Sequence, residues 1–117
     1  MSLGTGARLF DDGRFFEAHE AWEEHWLVET DETKRRLFQG LIQIAAACHK
    51  LFVMNARESA ERLLAKGLAK LDACPDEAEG IDLAAFRDAL RVCARDLAGD
   101  QLVRASIPRL TAARAAR

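Results

Sequence analysis

Apolar positions recur along this chain with a period near 3.6 residues, the spacing of amphipathic helices, and nowhere alternate with the period of two that marks a strand. The first helix predicted by this pattern covers Leu3 to Asp11 and ends where Asp12-Gly13 offers a left-handed turn. A second begins at Arg14 or Phe15 and runs to Val28. On it Phe15, His19, Trp22 and Trp26 form one stripe expected to face the core, with Phe16, Glu20, Glu23 and Leu27 beside it. Thr30 or Asp31 is placed to cap a third helix, from Thr33 to Met54. Its broad apolar face, Leu37, Leu41, Ile44, Cys48, Leu51 and Phe52, is widened by Phe38, Ile42, Ala45 and His49. Only a narrow strip of Gln39, Gln43 and Lys50 stays polar. A helix apolar over so much of its surface belongs in the middle of a bundle.

The fourth helix is expected over Ala56 to Ala73, with Ala56, Ala60, Leu63, Gly67 and Leu71 inward and a ladder of Glu58, Arg62, Lys66 and Lys70 outward. Cys74-Pro75-Asp76 ends it. Asp82 then caps a fifth helix, Leu83 to Ala98, that turns Phe86, Leu90, Cys93 and Leu97 inward and Arg87, Arg91 and Arg95 outward, and Gly99 terminates it. From Asp100 a short helix is expected to break at Pro108, with Ile107 and Leu110 anchoring the segment. Residues 111–117, rich in Ala and Arg, read as a frayed tail. The expected fold is therefore all-α: a single domain over residues 1–110, a bundle of about five helices built from antiparallel hairpins.

Composition agrees with one packed core. Of 117 residues, 50% are hydrophobic and 31% charged, which excludes a disordered chain. The longest apolar run, Leu41 to Cys48 interrupted by Gln43, falls far short of the ~20 residues of a membrane span. No basic-then-apolar segment opens the chain, so a cytoplasmic location is expected. The net charge of −2 removes the simplest case for nucleic acid, and Arg57, Arg62, Lys66 and Lys70 have no aromatics interleaved with them. Cys48, Cys74 and Cys93 lack ligand spacing and are expected to be reduced and buried.

Charge is segregated more than the total suggests. Residues 11–32 carry nine acids and one base, Arg14, whereas residues 33–70 carry eight bases and two acids, Glu58 and Glu61. These blocks are expected to attract one another as antiparallel neighbours, or to attract the matching surfaces of a second subunit. Each surface pair contributes only ~0–1 kcal/mol, so the segregation selects orientation more than it adds stability.

The segment with most chemistry is Gly13 to Trp26. Its His19-Glu20-Ala21-Trp22-Glu23 evokes the His-Glu-x-x-His helix of zinc peptidases, with Glu23 in place of the second histidine. The Glu-x-x-His of di-iron bundles is absent. A divalent metal on His19 and Glu23 would need further ligands, and His49 or Gln43 are the nearest by type. The simpler account holds His19 inside the bundle by a carboxylate or carbonyl, because an unpaired buried polar group costs about 1–3 kcal/mol. Trp22 and Trp26 read as core, and Glu17, Glu24, His25 and Glu29 as solvated. In the third helix, Gly40 costs ~1 kcal/mol relative to Ala, which points to a close helix contact. Arg36, Gln39 and Gln43 fall on one face; set against Glu20 and Glu23 they are expected to form a buried hydrogen-bond network.

Two motifs then carry a resemblance. Gly-x-Phe-Phe-Glu-Ala-His-Glu followed by Trp26, and Arg-x-x-Gln-Gly-Leu-Ile-Gln-Ile-Ala followed by His49, resemble the DUF309 family of small all-helical proteins, over residues 7–72. The resemblance implies a helical bundle and marks Glu17, His19, Glu20, Trp26, Arg36, Gln39, Gly40 and Gln43 as characteristic positions. It supplies no reaction, since the family is one of unknown function. The leading expectation is a non-enzymatic binding or assembly module that needs no cofactor and meets a second copy of itself or a cytoplasmic protein. The alternative is a metal-assisted hydrolase or small-ligand site built on His19, Glu20 and Glu23.

Overall fold

The fold is arranged around one helix that has almost no solvated side. In the computed structural model, which describes residues 3–110, this is α3 (Glu32–Phe52), and no residue between Arg35 and Phe52 is fully exposed. It is capped at its start by Asp31, whose carboxylate accepts from the Lys34 backbone N–H at 2.9 Å. The helix α2 (Phe15–Val28) packs along one flank and α4 (Arg57–Asp72) along the other. On the inner face lie α1 (Leu3–Asp11) and α5 (Leu83–Ala98), which meet through an edge-on contact of Phe10 and Phe86 at 6.2 Å. All five predicted helices are present, with ends shifted by at most two residues.

One continuous core joins them. Trp22, Phe38, Leu41, Ile44, Leu71, Phe86 and Leu90 are its largest enclosed side chains, and Leu110 closes it from the C-terminal side. Leu110 also donates its backbone N–H to the Asp11 carboxylate at 2.6 Å. Close approaches of backbone are needed in two places. A Cβ on Gly6 would lie 2.2 Å from the Trp22 indole nitrogen, so that indole rests on bare backbone. A Cβ on Gly67 would lie 2.9 Å from the Gly40 carbonyl oxygen and 2.7 Å from Ile44, which makes the α3/α4 crossing a glycine-to-glycine contact. This is the close helix contact that the mid-helix Gly40 predicted.

Three sequence expectations are corrected. The loop after α4 contains a two-stranded ribbon, β1 (Glu77–Ala78) with β2 (Ile81–Asp82), paired antiparallel. Glu79 and Gly80 at its tip both have positive φ, the geometry of a tight hairpin turn, and two-residue strands are too short to show any alternation. On α4, Leu64 and Leu68 are buried whereas Leu63 is half-buried, so the inward face is rotated slightly from the one expected. The region after Asp100 forms only a 3-10 turn, Arg104–Ser106, although Ile107 and Leu110 anchor it as expected. The expected frayed tail, residues 111–117, lies outside the described residues.

The fourth correction concerns Arg87, which points inward. It is 8% exposed, and its Nη1 donates to the carbonyls of Leu71 (3.1 Å), Cys74 (3.2 Å) and Pro75 (3.3 Å) while Nη2 pairs with Asp76. It thus closes the C-terminal end of α4, where unpaired carbonyls and the negative pole of the helix dipole both favour a cation. The same device recurs. Arg35 donates to the carbonyls of Trp26 (2.8 Å) and Glu29 (3.0 Å) at the end of α2, and Arg57 to Leu97 (3.3 Å) and Ala98 (2.9 Å) at the end of α5. Arg104 donates to the Gly13 carbonyl in the turn between α1 and α2 and lies over the Phe15 ring at 5.1 Å. Helical spacing put Arg87 outside because a long side chain on a helix flank reaches a neighbour that periodicity along one helix does not describe.

Two stability measurements follow. In Gly67→Ala the gain in helix propensity is outweighed by overpacking against the Gly40 carbonyl, and urea denaturation is expected to show a net loss on the order of 1–2 kcal/mol. Arg87→Ala strips donors from three carbonyls and is expected to cost about 2–3 kcal/mol by the same assay, whereas Arg95→Ala on the exposed face changes stability by less than about 0.5 kcal/mol.

Candidate functional site

The antiparallel register of α2 against α3 is set by four contacts. The Arg35 guanidinium lies 4.6 Å over the Trp26 ring, His25 stacks on Phe38 at 5.8 Å, Glu23 sits beside Gln39 and Gln43, and Phe16 packs on His49 at 5.2 Å. His25, expected to be solvated, is exposed yet covers the edge of the core through that stacking. Glu23, Trp26, Gln39, Ile42 and Gln43 line a crevice of about 150 Å³ between the two helices. Four apolar or amide groups thus meet one carboxylate, on the outer side of the hairpin.

His19 is half-buried one turn further along α2. Its ring stacks on Phe16 at 5.9 Å with a 21° interplanar angle, so Phe16 bridges the imidazoles of His19 and His49 while remaining 49% exposed itself. His19 Nδ1, Gln43 Oε1 and Trp22 Nε1 are enclosed and have no hydrogen-bond partner among the described residues. For Trp22 the cause is the bare backbone of Gly6 beneath the indole. The simple account of His19 as a ring held by a carboxylate or carbonyl does not describe Nδ1, which packs against neighbours without a bond.

The expected network from Arg36 to Glu20 and Glu23 does not form. Arg36 is half-buried and near Cys74, at the C-terminal end of α4, where its charge acts on that thiol. The reason is angular. Arg36, Gln39 and Gln43 share a face of α3 in sequence, but at 100° per residue Arg36 leans to the α4 flank while Gln39 leans to α2. Glu20 and Glu23 are exposed, and neither joins the ion pairs of the described residues. Glu17 stands apart from the crevice and pairs with Arg14 at 2.6 Å, a hydrogen bond that holds its carboxyl below the usual carboxylate range.

Among the described residues no group of three or more His, Cys, Asp and Glu side chains is placed to hold a metal ion, so His19 and Glu23 gain no third ligand from His49. The thiols carry no sign of activation either. Burial pushes Cys48 up to about 12, with Cys93 nearby raising it further, and burial also raises Cys74 and Cys93. No helix among the described residues is long and apolar enough to cross a membrane.

What the structure assembles instead is a surface. Gly67 and Leu71 set α4 against Gly40, and this register puts Lys70 level with Gln39, Lys66 with Gln43, and Leu63 with Ala46. On α2 the buried positions Phe15, Ala18 and Trp22 leave Phe16, Glu20 and Glu23 on the outward flank. On α4 the buried Ala60, Leu64, Gly67 and Leu71 likewise leave Leu63, Lys66 and Lys70 on the outward flank beside α3. Three rows result: Glu23, Gln39, Lys70; Glu20, Gln43, Lys66; Phe16, Ala46, Leu63. Phe16 and the α4 lysines were not singled out as site residues from sequence, although Phe16 precedes His19 by one turn. The lysines read as an ordinary solvated ladder until α3 was known to lie beside them.

Residues 3–63 match a family described as a domain of unknown function, DUF309. An uncharacterized protein of Aquifex aeolicus (strain VF5) is 32% identical over 78 residues, which are 67% of this chain and 23% of that relative. The chain therefore spans less than a quarter of the relative's length.

The enclosed Gln43 carbonyl gives a direct test. Because it accepts no bond among the described residues, Gln43→Leu is expected to leave the stability of the isolated chain unchanged or raise it by up to about 1 kcal/mol in urea denaturation. A loss larger than about 1 kcal/mol would show that the amide is paired within the chain.

Proposed function

We propose that this chain, which belongs to the DUF309 family of domains of unknown function, works as a non-enzymatic, cytoplasmic helical binding module. Its binding surface is the outward face of α2, α3 and α4. The observation that carries this reading is the half-exposed Phe16 ring, held between two imidazoles at one end of a face whose other rows are charged. A large aromatic fixed in place at the surface is the kind of group that anchors protein interfaces, since little side-chain entropy remains to be lost on contact.

Charge supports the same face. The acids of α2 and the bases of α3 were expected to attract each other, yet Arg35 is spent on backbone carbonyls and Lys34 pairs with Glu79 at 4.0 Å. Glu20, Glu23, Lys66 and Lys70 are left without ion-pair partners among the described residues. Unpaired charges in ordered rows beside an aromatic anchor suit recognition, where they set orientation and encounter rate more than affinity. The alternative of a metal-assisted hydrolase on His19, Glu20 and Glu23 has no comparable support, because among the described residues no group of three or more His, Cys, Asp and Glu side chains is placed to hold a metal ion.

A photo-crosslinking residue placed at Phe16 or Glu20 in the living cell tests the reading, with Glu58 on the opposite flank of α4 as control. A discrete adduct from the first two positions and none from Glu58 is expected. Absence of any adduct at Phe16 and Glu20, or equal adducts at all three, would refute a binding role for this face.

A further inference from the structure

The three rows are complementary to themselves, and the geometry points to a second copy of this chain as what covers them. This rests on the reading of the outward face as a binding surface and names its occupant. Acid lies on α2, amide on α3 and base on α4, in the same order at two successive levels, with Phe16, Ala46 and Leu63 at the third. A two-fold axis running parallel to α3 exchanges α2 with α4 while keeping each level in place. It sets Glu23 opposite Lys70 of the second copy, Glu20 opposite Lys66, and Phe16 opposite Leu63, each pair occurring twice.

The other two-fold arrangement, with the axis across the helices, would stack acids on acids and lysines on lysines. Like charges in contact reject that docking, so the charge pattern selects one symmetry. An isologous contact of this kind closes on itself and stops at a dimer. At the centre, small Ala46 faces its own copy and lets the two α3 helices approach. Gln39 and Gln43 meet their own counterparts there, and an amide can donate to and accept from an identical amide. The Gln43 carbonyl that accepts no bond among the described residues gains a donor by rotation of its amide toward the second copy.

The area is adequate. Three helices about 10 Å apart and roughly 20 Å long present on the order of 600 Å² per copy, or ~1,200 Å² in total, at the lower edge of specific interfaces. An interface of that size with four ion pairs at its flanks should be reversible and weakened by salt.

Light scattering on the eluting chain, at several concentrations and at low and high salt, reads the result against the 13.0 kDa of one copy. The wild type is expected to approach twice that mass at low salt and to dissociate as salt rises. The double reversal Glu20→Lys with Glu23→Lys, and the double reversal Lys66→Glu with Lys70→Glu, are each expected to be monomeric with unchanged helical circular dichroism. Mixed together, the two variants are expected to form a heterodimer, because every facing pair is then again of opposite charge. A wild type monomeric at all concentrations, reversal variants that still dimerise, or a mixture that stays monomeric would overturn the inference. Should a reversal variant not fold, Glu20→Gln with Glu23→Gln replaces it and is expected to weaken dimerisation at least tenfold; an unchanged dimer overturns the inference. Crosslinks from Phe16 separate the two readings. Adducts of twice the chain mass support the dimer, whereas adducts of another mass only, with a monomeric wild type, overturn the dimer and leave the binding module standing.

Discussion

Everything in this fold depends on the need to cover α3. Twenty-one residues with apolar groups around most of the circumference cannot stand in water, and each neighbour is placed by the side it must bury. The closest approach is at Gly40 and Gly67, where the backbones of α3 and α4 meet with no side chain between them. That contact costs the intrinsic helix stability of two glycines, and is offset by the packing of Ile44 and Leu71 into the space they leave. It also fixes the height of α4 relative to α3, and through α3 its height relative to α2. The outward rows are a consequence of a glycine contact on the buried side.

Helix ends are stabilised by a second recurring interaction, the reach of an arginine across to another element's terminal carbonyls. Arg35, Arg57 and Arg87 do this for α2, α5 and α4, and Arg104 does it for the turn that joins α1 to α2. Each arginine belongs to a different segment from the carbonyls it serves, so the caps also tie elements together. The consequence for charge is direct. Of the basic block, Arg35 and Arg57 are occupied by backbone carbonyls, and Glu20 and Glu23 of α2 join no ion pair among the described residues. The surface charge pattern is what remains after the helix ends have been satisfied.

The outward face is unusual less for any single residue than for order. Carboxylates, amides and ammonium groups stand in register on three helices, and an aromatic ring held between two histidines closes one end. No element of that arrangement needs a reaction to explain it. Groups that would serve catalysis, by contrast, are dispersed: the thiols are buried with their ionisation suppressed, and the histidines are occupied in ring contacts.

The helices, their caps at Asp31 and Asp82 and the apolar character of α3 were legible in the sequence, because each is a property of neighbours along one chain segment. So was the close contact at Gly40, since a glycine inside a strong helix costs stability unless something approaches it. The candidate site was only half legible. Glu23, Trp26, Gln39 and Gln43 line one crevice. Arg36 turns to α4 and Arg87 turns inward, because the direction of a long side chain is decided by whichever carbonyl or charge lies within its reach, and that depends on how helices rotate against one another. The alignment of Lys66 and Lys70 with Glu20 and Glu23 is likewise a matter of helix heights, set by the backbone contact of Gly40 with Gly67 on one side of α3 and by the α2 contacts on the other. Periodicity within a helix gives the face a residue occupies; only packing between helices decides what that face meets.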